Sequence, residues 1–377
     1  MTYDTIVVGG GIVGMSAAYH LAGAGARALL IDREDQGRAT DAGAGILAPE
    51  TNSRDPAAWF AFATAAVGYY PALIERLRAE QAGETGYAVC GQLIVAVSDD
   101  EAEPFAEARR HVLDRQRERG QPATEDLHEI SPEDARTLFP PLAPTLGALY
   151  FRNAARVDGR LLAQALRRAA VGRGLSIRRG GVERLAIEGG AVVGVVADGE
   201  ILAAGAVVIA GGAWSRGFGA QLGVQIPIEP QRGQIIHLGL PGADTGGWPI
   251  VMAFRGHYIV AWPDSRVAAG ATRETGAGFA PIATAAGVHE VLGEALRVAP
   301  GLAGAELREV RVGLRPRTPD SLPVLGAVPG VRGVYLATGH GPTGLQLGPY
   351  SGKLVADMVL GKPSETDIGA FDVMRFA

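Results

Sequence analysis

The N-terminal stretch TIVVGGGIVGMSAAYHLAGAGARALLID, residues 5–32, constrains the fold more than any other part of the chain. Its first residues are β-branched and apolar, which predicts a buried parallel strand. Small residues then predict a closely packed helix, and ALLID predicts a second strand. Gly9, Gly11 and Gly14 stand between strand and helix with the spacing G-x-G-x-x-G. This order of elements predicts a dinucleotide-binding βαβ unit.

Each position of this motif has a physical role in binding a dinucleotide. Gly9 permits the tight turn, Gly11 lets a pyrophosphate approach the backbone, and Gly14 lets the helix pack closely on the strand. The free N–H groups at the helix start favour an anion. Asp32, which ends the second strand, would accept hydrogen bonds from ribose hydroxyls. The motif alone leaves open whether the nucleotide is FAD or NAD(P).

Composition narrows the class of protein. The 377 residues suffice for two domains and a large core. A net charge of -5 without a block of Lys or Arg argues against nucleic acid or an anionic membrane as a partner. The single Cys90 excludes a disulfide within the chain and a Cys-based zinc site. The apolar runs at residues 6–31 and 203–214 match neither a signal peptide nor a membrane span, so we expect a cytoplasmic protein without an integral membrane segment.

The rest of the chain alternates helical and strand-like patterns without an internal repeat or a long linker, so we expect interwoven domains. Gly-Gly and Asp-Gly turns predict a β-meander over residues 176–214, with its last strand at residues 206–210. The glycine-rich residues 33–50 predict neither helix nor strand. Ser131 and Asp158 stand at helix N-cap positions. Further helices are predicted over residues 56–79, 100–119, 158–171, 284–297 and 347–360, and further strands around Gly91, within 227–272 and over 334–337.

Four later motifs, GRATDAGAGIL, VVIAGGAWS, GLRPRTPD and GHGPTGLQLGP, follow the first in the order seen in a known family. With them the chain resembles the D-amino-acid oxidase superfamily of FAD-dependent oxidoreductases over essentially its whole length. It is most similar to the branch of glycine oxidase, sarcosine oxidase and D-amino-acid dehydrogenases. The resemblance implies a mixed α/β (α+β) fold, in which a Rossmann-type FAD-binding domain with a parallel sheet and a β-meander is interwoven with a smaller antiparallel-sheet substrate domain. The expected boundaries are 1–85, 145–225 and 305–377 for the FAD-binding domain, and 86–144 and 226–304 for the substrate-binding domain.

The resemblance also implies which residues hold FAD. Arg33 would join Asp32 at the adenosine ribose, Val182 would meet adenine through its backbone, and backbone N–H groups of residues 339–346 would wrap the flavin pyrimidine edge. Covalent members of the family attach FAD through a cysteine in the segment matching LRPRTPD, and this segment has none, so noncovalent FAD is expected. The full expected set is Gly9, Gly11, Ile12, Val13, Gly14, Asp32, Arg33, Arg38, Ala39, Thr40, Ala44, Gly45, Ile46, Val182, Gly211, Gly212, Gly339, His340, Gly341, Pro342, Thr343, Gly344, Leu345 and Gln346.

Two residues match the substrate anchors of glycine-oxidase-like proteins. Arg315, in GLRP, matches the arginine that grips the substrate carboxylate, and a guanidinium can hold a carboxylate with two parallel hydrogen bonds. Tyr258, in RGHYIVAWP, matches the tyrosine over the substrate, and its hydroxyl would donate to the same carboxylate. Each position has a structural alternative. Arg315 could pair with Asp320, and Tyr258 could be a half-buried strand tyrosine. We expect Arg311 to form a salt bridge or face solvent.

Two positions depart from glycine oxidase. Arg273, in GATRE, stands where glycine oxidase has an apolar methionine, and Pro342, in GHGPTG, replaces an arginine that approaches the ligand. A positive charge moved across the pocket would suit a substrate with a second carboxylate. The alternative for Arg273 is an ion pair with an acid such as Glu274 or Glu50.

We therefore expect an FAD-dependent oxidoreductase of a small amino acid or secondary amine, of the glycine, sarcosine or D-amino-acid type, with Arg315 and Tyr258 at the catalytic site. Hydride would pass from Cα to flavin N5, the imine would hydrolyse, and oxygen or another acceptor would take the electrons. One alternative is oxidation of a 2-hydroxy acid, which requires a base such as a histidine, His257 or His340. Another is a non-catalytic flavin-binding protein. No residue in the sequence distinguishes an oxidase from a dehydrogenase.

Overall fold

The computed structural model describes residues 2–52, 56–364 and 366–377, and its elements fall close to the predicted ones. The helices are α1 (Ile12–Gly23), α2 (Ala39–Ala42), α3 (Ala57–Ala79), α4 (Ala102–Arg119), α5 (Pro132–Leu138), α6 (Gly159–Gly172), α7 (Gly219–Leu222), α8 (Ala285–Val298) and α9 (Gly344–Val359). The strands are β1 (Tyr3–Val8), β2 (Ala28–Asp32), β3 (Ile46–Leu47), β4 (Ala88–Val89), β5 (Gln92–Ala96), β6 (Leu127–Ile130), β7 (Gly147–Phe151), β8 (Ala155–Arg156), β9 (Ser176–Arg179), β10 (Arg184–Glu188), β11 (Ala191–Ala197), β12 (Glu200–Ile209), β13 (Glu229–Gly239), β14 (Ile250–Met252), β15 (Tyr258–Trp262), β16 (Arg266–Gly270), β17 (Glu306–Arg317), β18 (Val324–Ala327) and β19 (Val334–Thr338).

The first sheet contains the predicted βαβ unit. Its strand order is β10-β11-β12-β1-β2-β9, and β19 and then β18 pair next to β12. β1 is parallel to both β2 and β12. β12 joins the two parts of this sheet, because its first residues pair antiparallel with β11 and its last residues pair parallel with β1 and β19. The predicted strand at residues 206–210 is therefore the final part of a longer strand.

Three local predictions need correction. The segment 176–179 was predicted to belong to the meander, but it pairs parallel with β2 as β9, since the open edge of β2 lies far away in sequence and no local pattern reveals it. Within residues 33–50, predicted to be irregular, the short elements α2 and β3 form. α9 begins at Gly344 and not near residue 347, because these glycine-containing residues adopt helical angles despite their weak helix propensity.

The second sheet is mainly antiparallel and has the order β17-β13-β16-β15-β14-β5-β7-β6, with β14 and β5 parallel. β7 and β17 belong to this sheet by hydrogen bonding, although the expected boundaries assign their residues to the FAD-binding domain. Along the chain β17 is followed by β18 of the first sheet and β7 by β8 of a third sheet, and composition does not mark either change. The division into domains stays a prediction, and a three-stranded sheet of β3, β8 and β4 lies apart from both large sheets.

Among the described residues, α3 is the one helix long and apolar enough to cross a membrane by length and composition. Its side chains Trp59, Phe62, Tyr70 and Leu73 are buried in the largest hydrophobic core. In that core α3 packs against α9, and α9 in turn packs against α1. The apolar composition of α3 is thus accounted for by contacts within the protein.

Candidate active site

A cavity of about 680 Å³ runs from the carboxyl ends of the parallel strands to one face of the second sheet. Val8, Ile31 and Ala210 line it at the end where β1, β2 and β12 finish, and Tyr258 and Arg315 line it at the other end. Ligands of open α/β sheets bind at the carboxyl ends of the strands. Of the cofactor residues expected from the sequence, all but Gly14 and Gly339 line the cavity.

The glycine motif forms a cradle that larger residues would fill. Gly9 has φ +107°, and a Cβ there would lie 2.6 Å from the carbonyl oxygen of Ala210. A Cβ on Gly14 would lie 2.0 Å from the carbonyl oxygen of Gly9, so Gly14 brings α1 against the turn after β1 and does not face the cavity. Gly10, which is not among the residues expected from the sequence, makes room for the Asp32 carboxylate, which lies 2.4 Å from the ideal Cβ position.

At the expected adenosine end, the acid of the motif is already paired. Asp32 Oδ2 lies 2.9 Å from Nη1 of Arg38, whose Nε lies 3.0 Å from Asp41. The Arg33 guanidinium lies over the ring of Trp214, 5.6 Å from its centroid. Trp214, which belongs to the motif VVIAGGAWS but was not among the expected cofactor residues, lines the cavity. Arg38 thus binds acids of the protein itself. Thr40 likewise has a partner in the protein, since its Oγ1 accepts a hydrogen bond from the N–H of Ile12 (2.9 Å).

The segments expected beside the flavin contain residues in conformations that suit glycine. Gly45, Gly212 and Gly341 line the cavity with φ of +73°, +55° and +52°. Gly339 also has positive φ, but a Cβ there would contact Thr318, so its role in the structure is that of a turn. This glycine and Gly14 are the two expected cofactor residues that the structure keeps away from the cavity wall.

A buried donor also points to a missing partner at this end. The side-chain nitrogen of Gln346 is buried without a hydrogen-bond partner among the described residues, and its side-chain oxygen accepts from the N–H of Ala48 at 3.4 Å. Buried polar groups normally have partners. The glycine cradle and this donor fit FAD. Gly11 would lie against the pyrophosphate, and Gly45 and Gln346 would lie beside the ring system.

His340 lines the same region and is neutral. It is buried, and its Nε2 lies 2.9 Å from the hydroxyl of Ser351. Burial lowers the pKa of His340 to about 3. His257, the other histidine considered as a base, does not line the cavity, and its Nε2 lies 3.3 Å from Glu290 on α8. Of the two histidines considered as a base, only His340 reaches the cavity, and its lowered pKa makes it a weak base for 2-hydroxy-acid oxidation.

Arg315 extends into the cavity from β17. Its Nη1 donates to the carbonyl oxygen of Thr272 (2.8 Å), and no carboxylate among the described residues lies within ion-pair distance of it. Asp320, the alternative partner, pairs with Arg375 (2.7 Å). Gly233 provides the space, since a Cβ there would lie 2.4 Å from the guanidinium carbon. Arg311 forms a salt bridge with Glu309 (2.8 Å), which was one of the two expectations for this residue.

Tyr258 lies beside Arg315 at the start of β15. Burial raises the pKa of Tyr258, and the neighbouring Arg315 and Arg273 oppose that shift. Since an ordinary tyrosine already titrates near pH 10, the hydroxyl stays protonated and can donate a hydrogen bond. Gly270 leaves room for the hydroxyl, which lies 2.7 Å from the ideal Cβ position.

Arg273 is the second cation of the cavity, and its proposed acid partners are taken by other arginines. Glu274 pairs with Arg232 (2.5 Å), and Glu50 pairs with Arg119 (2.5 Å). Arg273 Nη1 instead donates to the carbonyl oxygen of Gly256 at 2.6 Å. The alternative in which Arg273 pairs with Glu274 or Glu50 is therefore wrong.

The charges along the cavity are separated. The acidic residues that line its described part are Asp32, Asp35 and Glu183, all at the expected adenosine end. The opposite end has Arg273 and Arg315, while Pro342 contributes no charge. Among the described residues no cluster of His, Cys, Asp or Glu could hold a metal ion. This end of the cavity is suited to an anionic ligand.

Comparisons with known proteins agree with this geometry. The family model described as DAO, FAD dependent oxidoreductase, matches residues 4–358. The uncharacterized oxidoreductase YurR of Bacillus subtilis is 42% identical over 371 residues, covering 97% of each chain. Among solved structures, iminodiacetate oxidase (IdaA) from Chelativorans sp. BNC1 is 39% identical with a TM-score of 0.93, covering 98% of each chain. Glycine oxidase from Geobacillus kaustophilus is 30% identical with a TM-score of 0.90, covering 100% of this chain and 99% of that one.

Proposed function

The chain belongs to the DAO family of FAD-dependent oxidoreductases, and we propose that its substrate is a small secondary amine with two carboxylates, of the kind that iminodiacetate represents. The observation that carries this proposal is the pair Arg315 and Arg273, two arginines at one end of the cavity with no carboxylate of the described chain within ion-pair distance. Arg315 is half-buried and Arg273 is exposed, so Arg315 is the arginine whose burial calls for an anionic partner, and Arg273 adds positive charge beside it.

In this proposal Arg315 and Tyr258 bind the carboxylate next to the carbon that is oxidised. The guanidinium is fixed by its bond to Thr272 and lies beside the Tyr258 hydroxyl, and its remaining N–H groups would bind the ligand. The protonated phenol of Tyr258 donates from the side. Because hydride transfer requires the reacting carbon to be placed within a fraction of an ångström, a carboxylate held by two rigid donors provides the necessary orientation.

Arg273 binds the second carboxylate. Glycine has only one carboxylate, and the sequence resemblance places an apolar methionine at this position in glycine oxidase. The similarity to iminodiacetate oxidase supports the same assignment, since iminodiacetate carries one carboxylate on each side of its nitrogen.

Bound FAD would supply the oxidising chemistry by accepting a hydride from the carbon next to nitrogen. The protein residues orient the amine and need not remove a proton from carbon, which agrees with the neutral, hydrogen-bonded state of His340. With iminodiacetate, loss of a hydride and the N–H proton gives an imine, and addition of water to it yields glycine and glyoxylate. We further propose oxygen or another electron acceptor as co-substrate and the cytoplasm as the location.

The test compares substrates and arginine variants with FAD-loaded protein. Flavin bleaching is followed after anaerobic mixing with iminodiacetate, glycine, sarcosine, D-amino acids and 2-hydroxy acids. Because Arg273 is exposed, its ion pair with the second carboxylate contributes about 1 kcal/mol, so Arg273→Met should weaken iminodiacetate binding about fivefold. Binding of glycine should change less than twofold.

Arg315→Met serves as the second variant, and it should abolish bleaching by every carboxylate substrate. If Arg273→Met affects glycine and iminodiacetate equally, the second carboxylate is not read by Arg273 and oxidation of glycine or sarcosine becomes the better assignment. If only 2-hydroxy acids bleach the wild-type flavin, the proposal fails.

A further inference from the structure

The segment that follows β16 alternates between the cavity and a buried network. Glu274 forms an isolated bridge with Arg232, in which each backbone N–H donates to the other residue's carbonyl oxygen (2.9 and 3.1 Å). In extended chain successive side chains point to opposite sides. Accordingly Arg273 lines the cavity, whereas Thr272 and Glu274 on either side of it do not.

The carboxylate of Glu274 is the centre of this network. Its Oε1 accepts hydrogen bonds from Gln234 Nε2 (2.7 Å) and Thr272 Oγ1 (2.8 Å). Its Oε2 accepts from Nε and Nη2 of Arg232 (3.0 and 2.5 Å). Burial raises the pKa of Glu274, but the hydrogen bonds from Arg232, Gln234 and Thr272 outweigh burial and hold that pKa below its usual value. Glu274 is therefore a charged acceptor that receives four hydrogen bonds from the protein.

The network extends to the substrate anchor through Thr272. The Thr272 hydroxyl accepts from the N–H of Gln234 (3.0 Å) and donates to Glu274, while its carbonyl oxygen accepts from Nη1 of Arg315 (2.8 Å). Thr272 and Gln234 are fully buried, so water cannot replace these bonds. Gln234 also bonds to both the N–H and the hydroxyl of Thr284, the N-cap residue of α8 (2.9 Å each).

We infer that Glu274, although it does not touch the cavity, is a positioning residue for both arginines of the substrate site. Its carboxylate holds the Thr272 hydroxyl, and the Thr272 carbonyl oxygen orients Arg315. Arg273 stands between Thr272 and Glu274 in the chain, so fixing these two residues directs its side chain into the cavity. This inference rests on the proposed function, in which the two arginines bind the two carboxylates of the substrate.

A charge effect and a positioning effect of Glu274 have opposite signs. If Glu274 acted only by its negative charge, removing that charge would attract an anion more strongly to the site. If it positions the arginines, removing its acceptor oxygens would weaken anion binding. In Glu274→Gln the amide NH₂ must face either Arg232 or the pair Gln234 and Thr272, all of which are donors, so one side of the network breaks.

The experiment measures binding of acetate and iminodiacetate to the FAD-loaded protein by the change in flavin absorbance, with kcat and KM measured in parallel. We expect Glu274→Gln to weaken acetate at least fivefold and iminodiacetate more, since both arginines are displaced, with KM changing more than kcat. Glu294→Gln is the matched control, because Glu294 is also partly buried and paired with an arginine, Arg297 (2.9 Å), but lies outside the network. It should leave both affinities within twofold of the wild type.

A second pair of variants guards against simple misfolding. Thr272→Val keeps the shape of the side chain and removes the hydroxyl, whereas Thr272→Ser keeps the hydroxyl. The valine variant should lose acetate affinity and the serine variant should retain it. Tighter acetate binding by Glu274→Gln, or unchanged binding with only a lower melting temperature, would overturn the inference while Arg315→Met still abolishes binding. If Arg315→Met binds acetate as the wild type does, the proposed function falls and this inference with it.

Discussion

Replacing Gly45 by alanine tests whether the backbone beside the expected flavin position is shaped for the cofactor. Gly45 has φ +73°, and a Cβ there would lie 1.7 Å from the carbonyl oxygen of Val157. Its own carbonyl oxygen accepts from the N–H of Val157 (2.9 Å), so the two backbone segments cannot separate without breaking this bond. Gly25 is the matched control, since its φ is +82° and nothing lies within 4 Å of the Cβ position.

The two variants share one cost and differ in another. An L-residue in the left-handed region costs about 1–2 kcal/mol in either position. Gly45→Ala must in addition move one backbone by about 1.3 Å to restore a 3.0 Å contact, and overpacking of this kind costs about 1–3 kcal/mol. If the displaced segment is part of the cofactor cradle, this difference corresponds to FAD binding weakened about fivefold to about 150-fold.

The assay is FAD retention during gel filtration, followed by titration of the apoprotein with FAD and by thermal unfolding. Gly25→Ala should lower the melting temperature slightly and leave FAD affinity unchanged. Gly45→Ala should lose FAD. Equal FAD affinity of the two variants would refute the reasoning, because it would mean that segment 44–46 can move without consequence for the cofactor.

Two further predictions concern buried groups away from the anchors. Burial lowers the pKa of His237 to about 3. Between about pH 6.5 and pH 3 the unfolded chain therefore binds a proton at this histidine that the folded chain does not. The free energy of unfolding consequently decreases as the pH falls below 6.5, by up to about 1.4 kcal/mol per pH unit. In His237→Gln, urea unfolding at pH 7 and pH 5 should therefore differ less than in the wild type, and an unchanged difference would contradict the shift. Arg156 is almost fully buried, two of its guanidinium nitrogens have no partner, and no carboxylate of the described residues pairs with it. Its remaining nitrogen donates to the carbonyl oxygen of Gly246 (3.0 Å), and the guanidinium lies over the ring of Trp262. Arg156→Met should be neutral or stabilising in thermal unfolding, and a large loss would contradict this by showing that these contacts outweigh the cost of the buried charge.

The elements that the sequence predicts well are those whose causes are local. The strand, turn and helix around Gly9 follow from β-branched residues and glycine spacing. Ser131 accepts a hydrogen bond from the N–H of Asp134 and Asp158 accepts from two N–H groups of α6, as their N-cap positions predict. In each case the interacting atoms lie within a few residues of one another, so sequence spacing alone fixes the geometry.

Pairing between distant strands is outside the reach of such patterns. β9 joins the edge of β2, and β17 pairs along most of its length with β13, which precedes it by more than 60 residues. Alternation of apolar residues indicates that a segment is a strand but not which edge it meets. For this reason β7 and β17 fall in the second sheet, whereas sequence-based boundaries place their residues in the other domain.

The charge of the substrate site likewise depends on contacts between residues that are far apart in the chain, in this case salt bridges. Each of the two cavity arginines has an acid close in sequence, Asp320 for Arg315 and Glu274 for Arg273. Each of these acids is taken by an arginine from elsewhere in the chain. For Glu274 the cause is extended geometry, since a residue next to Arg273 points to the other side of the chain. The positive end of the cavity therefore arises because acids close in sequence are bound elsewhere in space, and this is why we propose that the two arginines bind an anionic substrate.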